Sequence, residues 1–212
     1  MADDEHRMKT GTTTVAVKCR DGIVLAADKR ATAGTMIASK WVDKIFTIEE
    51  YMAITTAGTV SDVQLLLKLI KAELRLKRLR TGRKVTVKEA ANLLAGMVYS
   101  NIRKLSTIPG ISHFIFAGKD DTGFHIYDIY PDGSISEAED YLSSGSGSVF
   151  AYGVLETLYK DAMQLSEGQT LALKAINAAL QRDSASGNGV DIVTITEGGA
   201  KKVLTKKIET GV

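Results

Sequence analysis

Near the start of the chain, apolar and polar positions alternate with the two-residue period of a β-strand. Residues 12–20 follow this alternation, and a second apolar run, residues 23–28, comes directly after Asp21-Gly22. Asp-Gly between two such runs favours a tight hairpin turn with positive φ. Residues 44–57 repeat the arrangement, with Glu49-Glu50 at the turn. The pattern therefore predicts two β-hairpins ahead of any helix.

The apolar spacing then changes to that of amphipathic helices. One apolar stripe of the first helix comprises Val63, Leu66, Ile70 and Leu74. The basic run from Lys68 to Lys88 alternates with leucines, and we interpret it as a solvated helix face. A second helix is predicted to begin at Thr86, because Thr86 and Glu89 have the spacing of a capping box.

The remainder of the chain repeats this order of strands and helices. The predicted elements are strands over 111–117 and 124–130, a helix after the small-residue loop 143–148, a helix capped at 166–169, and a hairpin over 190–204. Antiparallel hairpins separated by helix pairs pack as two sheets with helices on the outer faces. We therefore predict one α+β domain, a four-layer αββα sandwich of two antiparallel sheets flanked by helix pairs.

Composition narrows the class of function. Lys and Arg number 27 against 25 Asp and Glu, so the net charge of +2 gives no reason to propose nucleic acid or a membrane as partner. Cys19 is the only cysteine of the 212 residues, which excludes an intrachain disulfide and a cysteine-based zinc cluster. The polar segment 1–11 does not resemble a signal peptide, and no apolar run approaches the ~18 residues of a membrane span. We expect a cytoplasmic protein.

The residues of the common hydrolase mechanisms are scarce. His113 and His125 alternate with apolar residues in predicted strands, His6 lies in the polar leader, and no Gly-x-Ser-x-Gly or phosphate-binding loop occurs. A threonine at the start of a chain needs no histidine, because its own α-amine acts as the base for its hydroxyl. The ordinary pKa of that amine, about 7.7–8.0, suits a proton acceptor near neutral pH.

Thr12 becomes such a residue only if the Gly11–Thr12 bond is cleaved. This bond joins the polar leader to the first predicted strand. Cleavage would divide the chain into a propeptide, residues 1–11, and a single catalytic domain, residues 12–212. The local pattern alone favours a structural interpretation, because Thr12-Thr13-Thr14 is ordinary strand material.

Six blocks along the chain, in the same order, resemble the 20S proteasome β-subunit family in its archaeal catalytic type. The blocks are Gly11-Thr12-Thr13-Thr14, residues 21–30, Lys44-Ile45, Thr56-Ala57-Gly58, residues 144–148 with 152–156, and residues 182–187. The resemblance covers about residues 11–195 and implies the fold of N-terminal nucleophile hydrolases. It also implies a threonine-type endopeptidase that starts as a zymogen and cleaves its own Gly11–Thr12 bond.

The resemblance implies a role for each matching position. Thr12 would be the nucleophile, Lys44 a cation that lowers its proton affinity, and Asp28 the partner that holds Lys44. The supporting hydrogen-bond network around the threonine amine would comprise Ser146, Asp183 and Ser186. We expect no cofactor and no metal.

The resemblance also implies a substrate cleft. The backbone N–H of Gly58 would stabilise the oxyanion, and Thr32 would pair with the extended substrate backbone. The pocket for the residue before the cut would be lined by Ala31, Val42, Thr56 and Val60. None of these four residues is charged, which predicts a preference for apolar or neutral side chains.

The family further implies partners. They are other β subunits in a seven-membered ring, a second β ring stacked on it, outer α-subunit rings, a regulatory ATPase acting through the α ring, and unfolded polypeptide substrates. Three alternatives are a non-catalytic ring-building β subunit, the bacterial six-membered relative, and an unrelated α+β binding module. The chain keeps Gly11, Thr12 and Lys44, which favours the catalytic interpretation. Both a ring of one β type and a mixed ring are compatible with the sequence.

Overall fold

The computed structural model describes residues 11–107 and 109–208. The strands are β1 (Thr14–Cys19), β2 (Gly22–Asp28), β3 (Ala31–Ala33), β4 (Met36–Ser39), β5 (Ile45–Glu49), β6 (Met52–Gly58), β7 (Ser112–Asp120), β8 (Gly123–Ile129), β9 (Ile135–Ala138), β10 (Tyr141–Ser144), β11 (Gly189–Thr196) and β12 (Gly199–Lys207). The helices are α1 (Val60–Thr81), α2 (Val87–Ile102), α3 (Ser148–Leu158) and α4 (Leu165–Arg182).

The strands form two five-stranded sheets and a small hairpin. The first sheet has the order β10-β1-β2-β11-β12, and the second has the order β5-β6-β7-β8-β9. Strands β3 and β4 pair only with each other among the described strands. Neighbouring strands are antiparallel throughout both sheets.

Three buried apolar clusters separate four layers. One lies between the two sheets and includes Ala16, Leu25 and Ile115. A second packs the first sheet against α3 and α4, and a third packs the second sheet against α1 and α2. In β1 the side chains alternate between layers, since Val15 and Val17 face the helices while Ala16 faces the other sheet. The predicted αββα sandwich is confirmed.

The first hairpin forms as predicted, but its turn lies one residue earlier. Gly22 pairs with Cys19 inside the ladder, so the turn residues are Arg20 and Asp21, and neither has positive φ. Glycine is needed at position 22 for a different reason. A Cβ there would lie 2.5 Å from the carbonyl oxygen of Ile195 on the neighbouring strand β11.

The second hairpin shows the opposite shift. Glu49 pairs with Met52 after a bulge in β5, which places the turn at Glu50-Tyr51 and not at Glu49-Glu50. The local turn signals thus predicted both hairpins, while pairing between the strands determined which residues lie opposite each other.

Capping interactions determine where two helices begin. The capping box of α2 is confirmed, because Glu89 N donates to Thr86 Oγ1 at 3.2 Å and Thr86 N donates to Glu89 Oε2 at 3.1 Å. Helix α4 begins at Leu165, just before the predicted cap, because Gln164 and Glu167 form the box there. Among the described residues, no helix combines the length and hydrophobicity needed to cross a bilayer.

Candidate active site

The segment before β1 is held against the end of β2. Thr13 N donates to Asp28 Oδ1 at 2.9 Å, and Asp28 N donates to Thr13 O at 3.1 Å. Thr12 and Thr13 are 4% and 0% exposed. These contacts fix Thr12 at one end of the first sheet, next to the loop that follows β10.

The Thr12 hydroxyl faces the peptide bond that precedes it. Thr12 Oγ1 donates to the carbonyl oxygen of Gly11 at 2.6 Å. Because a carbonyl bond is about 1.23 Å long, the Gly11 carbonyl carbon lies within about 4 Å of this hydroxyl. Lys44 Nζ donates to the same oxygen at 3.4 Å. A hydroxyl and a cation therefore meet at one carbonyl group.

Lys44 and Asp28 form a buried ion pair. Lys44 Nζ lies 2.6 Å from Asp28 Oδ1, and the two side chains are 6% and 0% exposed. Asp28 also accepts hydrogen bonds from the backbone N–H groups of Arg30 and Gly187 at 3.0 and 2.9 Å. Burial lowers the pKa of Lys44, and the charge of Asp28 opposes this effect.

A chain of hydroxyls and one carboxylate surrounds the amide of Thr12. Thr12 N donates to Ser146 Oγ at 3.2 Å, and Ser146 Oγ donates to Asp183 Oδ2 at 2.7 Å. Ser186 Oγ donates to the same carboxylate oxygen at 2.6 Å and lies 2.7 Å from Thr13 Oγ1. The structure therefore brings Thr12, Asp28, Lys44, Ser146, Asp183 and Ser186 together.

A pocket of about 570 Å³ opens beside Gly11 and Thr12. All six positions expected in the cleft line it, namely Ala31, Thr32, Val42, Thr56, Gly58 and Val60. Residues that were not predicted contribute as well, namely Asp43, Phe46, Ala57, Val63, Gln64, Leu67, Lys68 and Lys71. Lys68 and Lys71 are exposed, as the helix-face interpretation predicts, yet the same face of α1 forms a wall of the pocket. The lining therefore includes charged side chains in addition to the four uncharged positions expected.

Other candidate nucleophiles and bases lie outside this pocket. Cys19 is 6% exposed, and burial raises the pKa of its thiol to about 12, so the thiol stays protonated. His113 and His125 pair with Asp128 and Glu137 at 2.6 Å. Across the described ranges, no cluster of three or more His, Cys, Asp or Glu side chains is arranged to hold a metal ion.

Comparison with known proteins agrees with this geometry. A family model described as "Proteasome subunit" matches residues 8–195. The chain belongs to the proteasome subunit family. A relative named proteasome subunit beta from Methanothermobacter thermautotrophicus is 40% identical over 205 residues, covering 97% of this chain and 95% of the relative. The resemblance inferred from the six sequence blocks is therefore confirmed.

Two more relatives named proteasome subunit beta extend this similarity. The protein of Methanopyrus kandleri is 41% identical over 204 residues, covering 96% of each chain. That of Archaeoglobus fulgidus is 44% identical over 193 residues, covering 91% of this chain and 89% of the relative. The chain is similar to proteasome β subunits over almost its whole length.

Glycines let the backbone of this proteasome subunit approach the site closely. Gly145 has φ 90°, and a Cβ on it would overlap the carbonyl oxygen of Thr12. A Cβ on Gly147 would overlap Thr13 Oγ1, and one on Gly11 would overlap the Cβ of Ala185. Gly145 and Gly147 in loop 143–148 are therefore a steric requirement of the site and more than a turn preference.

Sequence reasoning missed residues that support this proteasome subunit's site from behind. Arg30 Nε donates to Asn188 Oδ1, and Arg30 Nη1 donates to the carbonyl of Ser184, both at 2.8 Å. Arg30 thereby holds the loop that carries Asp183 and Ser186. Arg30 stands inside the resembling block 21–30, which was the one available signal, but only the structure shows which loop it contacts.

Proposed function

We propose that the chain is a catalytic β subunit of the proteasome core particle, a threonine-type endopeptidase whose nucleophile is Thr12. The observation that carries the proposal is the 2.6 Å contact between Thr12 Oγ1 and the Gly11 carbonyl oxygen, next to Lys44 and at the mouth of a substrate-sized pocket. The mechanism uses side chains and the α-amine alone and needs no cofactor.

The first reaction in this proposal is maturation. Thr12 Oγ1 attacks the carbonyl carbon of Gly11, its proton passes to the departing amide nitrogen, and the acyl group moves from nitrogen to oxygen. Water then hydrolyses the ester and releases residues 1–11 as a propeptide. Lys44 Nζ, 3.4 Å from the Gly11 oxygen, favours the negative charge that develops there. The mature domain is residues 12–212.

Peptide hydrolysis follows the same chemical course once cleavage has freed the α-amine of Thr12. The α-amine of Thr12 takes the proton of Oγ1 as that atom attacks the substrate carbonyl, and returns it to the leaving amine. Water then hydrolyses the acyl-enzyme ester. Ser146 holds the nitrogen of Thr12 at 3.2 Å, and Asp183 and Ser186 orient Ser146. The charge of Lys44 lowers the proton affinity of both amine and hydroxyl.

The pocket beside Thr12 receives the residue before the cut. Thr32 pairs with the substrate backbone, and the N–H of Gly58 stabilises the oxyanion. Gly58 has φ 120°, and a Cβ on it would overlap the carbonyl oxygen of Ile111, so glycine alone gives this backbone shape. Ala31, Val42, Thr56 and Val60 favour apolar or neutral side chains, and Lys68 and Lys71 disfavour a cationic one.

Assembly completes the proposal. The relatives are named proteasome subunit beta, and the chain would join a seven-membered β ring, stacked on a second one and flanked by α rings. A regulatory ATPase would deliver unfolded polypeptides through the α ring. If the nucleophile faces an enclosed chamber in the cytoplasm, entry into the chamber decides which proteins are cleaved. The pocket itself can then accept many side chains. The propeptide blocks the α-amine until assembly.

Intact mass of the assembled particle tests the proposal. The chain is co-expressed with its α subunit as wild type, Thr12→Ala and Thr12→Ser, with Thr170→Ala as a control on the exposed face of α4. We expect the wild type and the control to begin at Thr12 and to hydrolyse peptides. Thr12→Ala should keep residues 1–11 and be inactive, whereas Thr12→Ser should retain a measurable rate.

Two results would refute the proposal. One is a wild-type chain that remains full length in the assembled particle, which would favour a non-catalytic ring-building subunit. The other is peptide hydrolysis by Thr12→Ala particles at the wild-type rate.

A further inference from the structure

Lys29 is a buried lysine next to the site. Its side chain is 2% exposed, and Nζ lies 2.6 Å from Asp43 Oδ1 and 2.7 Å from Asp191 Oδ2. The ring of Trp41 covers the same ammonium group at 4.6 Å. Burying a lysine costs free energy even when it is paired, so packing alone does not explain why Lys29 is buried at this position.

The neighbours of this ion pair in sequence suggest the reason. Lys29 follows Asp28, and Asp43 precedes Lys44. The pairs Asp28–Lys44 and Lys29–Asp43 therefore connect the same two segments, and Val42 N donates to Lys29 O at 2.9 Å between them. Consecutive side chains on an extended segment point to opposite sides. One pair faces Thr12, while the other faces β11 and β12.

The segment that leads to Lys44 is not part of either sheet. Residues 40–44 belong to no strand, and β5, which follows them, lies in the second sheet. Asp28 lies in the first sheet. Thr56 N of β6 donates to Lys44 O at 2.9 Å, which holds the Lys44 backbone to the second sheet. The position of Lys44 relative to Asp28 and Thr12 therefore also depends on how residues 40–43 are held against the first sheet.

Lys29 joins these residues to a rigid part of that sheet. Asp191 lies in β11, is 1% exposed, and accepts a hydrogen bond from Thr205 Oγ1 of β12 at 2.7 Å. Lys29 thus connects Asp43 to a carboxylate that is fixed on two strands. Lys202 contacts Asp43 and Asp191 at 3.3 and 3.2 Å from the more exposed side.

We propose that Lys29 is a positioning residue for Lys44. Lys29 fixes Asp43 against Asp191 and thereby holds residues 40–43 in the register that pairs Lys44 with Asp28. The inference rests on the proposed function, because positioning matters only if Lys44 assists Thr12.

The test compares Lys29→Met and Asp43→Asn with Lys119→Met in assembled particles. Lys119 forms a 2.6 Å pair with Glu197 at the far end of the sheets and is a matched control for losing a lysine. The rate of Gly11–Thr12 cleavage and the pH profile of peptide hydrolysis are measured for each. Asp28, Asp183 and Arg30, whose charges act on Lys44, are unchanged in all three variants.

We expect Lys29→Met to slow cleavage and kcat by ~10–100-fold, since a displaced catalytic group reduces the rate by such factors. With Lys44 farther from the Thr12 amine, the acidic limb of the pH profile should move to higher pH by roughly 0.5–1 unit. Asp43→Asn should move this limb in the same direction by less. Lys119→Met should leave both measurements at the wild-type values.

Distinct results separate the failure of this inference from the failure of the proposed function. If wild-type particles never cleave the Gly11–Thr12 bond, the proposed function itself is refuted. Active wild-type particles whose pH profile is unchanged in Lys29→Met would overturn the positioning role alone. If Lys29→Met does not assemble, Asp43→Asn decides, because the Asp43 side chain is 56% exposed and its loss leaves Lys29 paired with Asp191.

Discussion

Lys44 and Asp28 are joined by a contact of 2.6 Å, but they differ in what else they hold. The carboxylate of Asp28 also accepts the backbone N–H groups of Thr13, Arg30 and Gly187. Lys44 reaches out to the Gly11 carbonyl instead. Asp28 thus organises three separate backbone segments, whereas the ammonium group of Lys44 is directed at the bond that would react.

This difference predicts different effects of substituting the two residues. Lys44→Met should assemble and lose at least ~100-fold in peptide hydrolysis, because the cation next to Thr12 is gone. Asp28→Ala should be more destabilising, because three backbone N–H groups lose their acceptor. Two of these hydrogen bonds are buried, and an unsatisfied buried donor costs about 1–3 kcal/mol. Thermal unfolding and hydrolysis rates measure the two effects. Normal turnover in Lys44→Met, or an Asp28→Ala subunit as stable as wild type, would contradict this assignment.

The contact between Gly11 and Ala185 predicts a paired substitution. Gly11→Ala should slow cleavage before Thr12 by ~10-fold or more, because the new Cβ would overlap the Cβ of Ala185 and misplace the carbonyl. Adding Ala185→Gly should restore part of the rate. Time courses of intact mass measure it. Once cleaved, Gly11→Ala particles should hydrolyse peptides normally, because residue 11 has left. Equal slowing with and without Ala185→Gly would show that the Ala185 methyl group is not the obstacle, since the Cα and carbonyl oxygen of residue 185 would still lie within 2.8 Å of the new Cβ.

The basic wall of the pocket predicts a charge preference. Peptides with glutamate before the cut should be hydrolysed faster than peptides with arginine, and Lys68→Glu with Lys71→Glu should reverse this order. Exposed charges interact by up to about 1 kcal/mol each, so we expect changes of roughly 2–10-fold that weaken at high salt. Arg75→Glu, on α1 but outside the pocket lining, is the control. A reversal in Arg75→Glu of equal size would assign the effect to overall charge.

The capping box of α2 predicts a pH dependence of stability. Hydrogen bonds from Arg83 and from the backbone of Thr86 lower the pKa of Glu89 to about 2, from an ordinary value of 4.5. The carboxylate therefore contributes fully above pH 4.5 and loses its contribution as the pH falls toward 2. Glu89→Gln should be less stable than wild type by ~0.5–1 kcal/mol at pH 7.

Chemical denaturation at pH 7 and near pH 2 measures this difference. The gap between Glu89→Gln and wild type should close at the lower pH. Glu73→Gln, on the exposed face of α1, serves as the control and should show no such change. A gap that stays constant between the two pH values would mean that the charge of Glu89 does not stabilise the helix.

The sequence predicted the elements whose determinants lie close together along the chain. The stripe on α1 and the box at Thr86 and Glu89 involve residues three or four positions apart, and both were right. The strands β3, β4, β9 and β10 were not predicted. They are only three or four residues long, so each is defined by its pairing more than by its own pattern.

The candidate site shows the same difference between what the sequence predicts and what only the three-dimensional structure shows. The resemblance identified a set of residues that the fold does bring together, from Asp28 to Ser186. It assigned no role to Lys29, Asp43 or Ala185, although Lys29 and Ala185 lie inside resembling blocks, because only the structure shows what these side chains contact. Lys68 was correctly placed on an exposed helix face, but that the pocket beside Thr12 ends on this face follows only from how α1 packs against β6.

One contact at the start of the described chain has a consequence for inhibitors. Gly11 N donates to Thr32 Oγ1 at 2.8 Å, and Thr32 is the residue expected to pair with an extended substrate backbone. If the chain matures as proposed, Gly11 acts as a tethered ligand of the cleft, at a high effective concentration, until the Gly11–Thr12 bond is cut. A peptide added from outside competes poorly at this stage. Under the proposed maturation, compounds that mimic substrate should bind only after the Gly11–Thr12 bond has been cut.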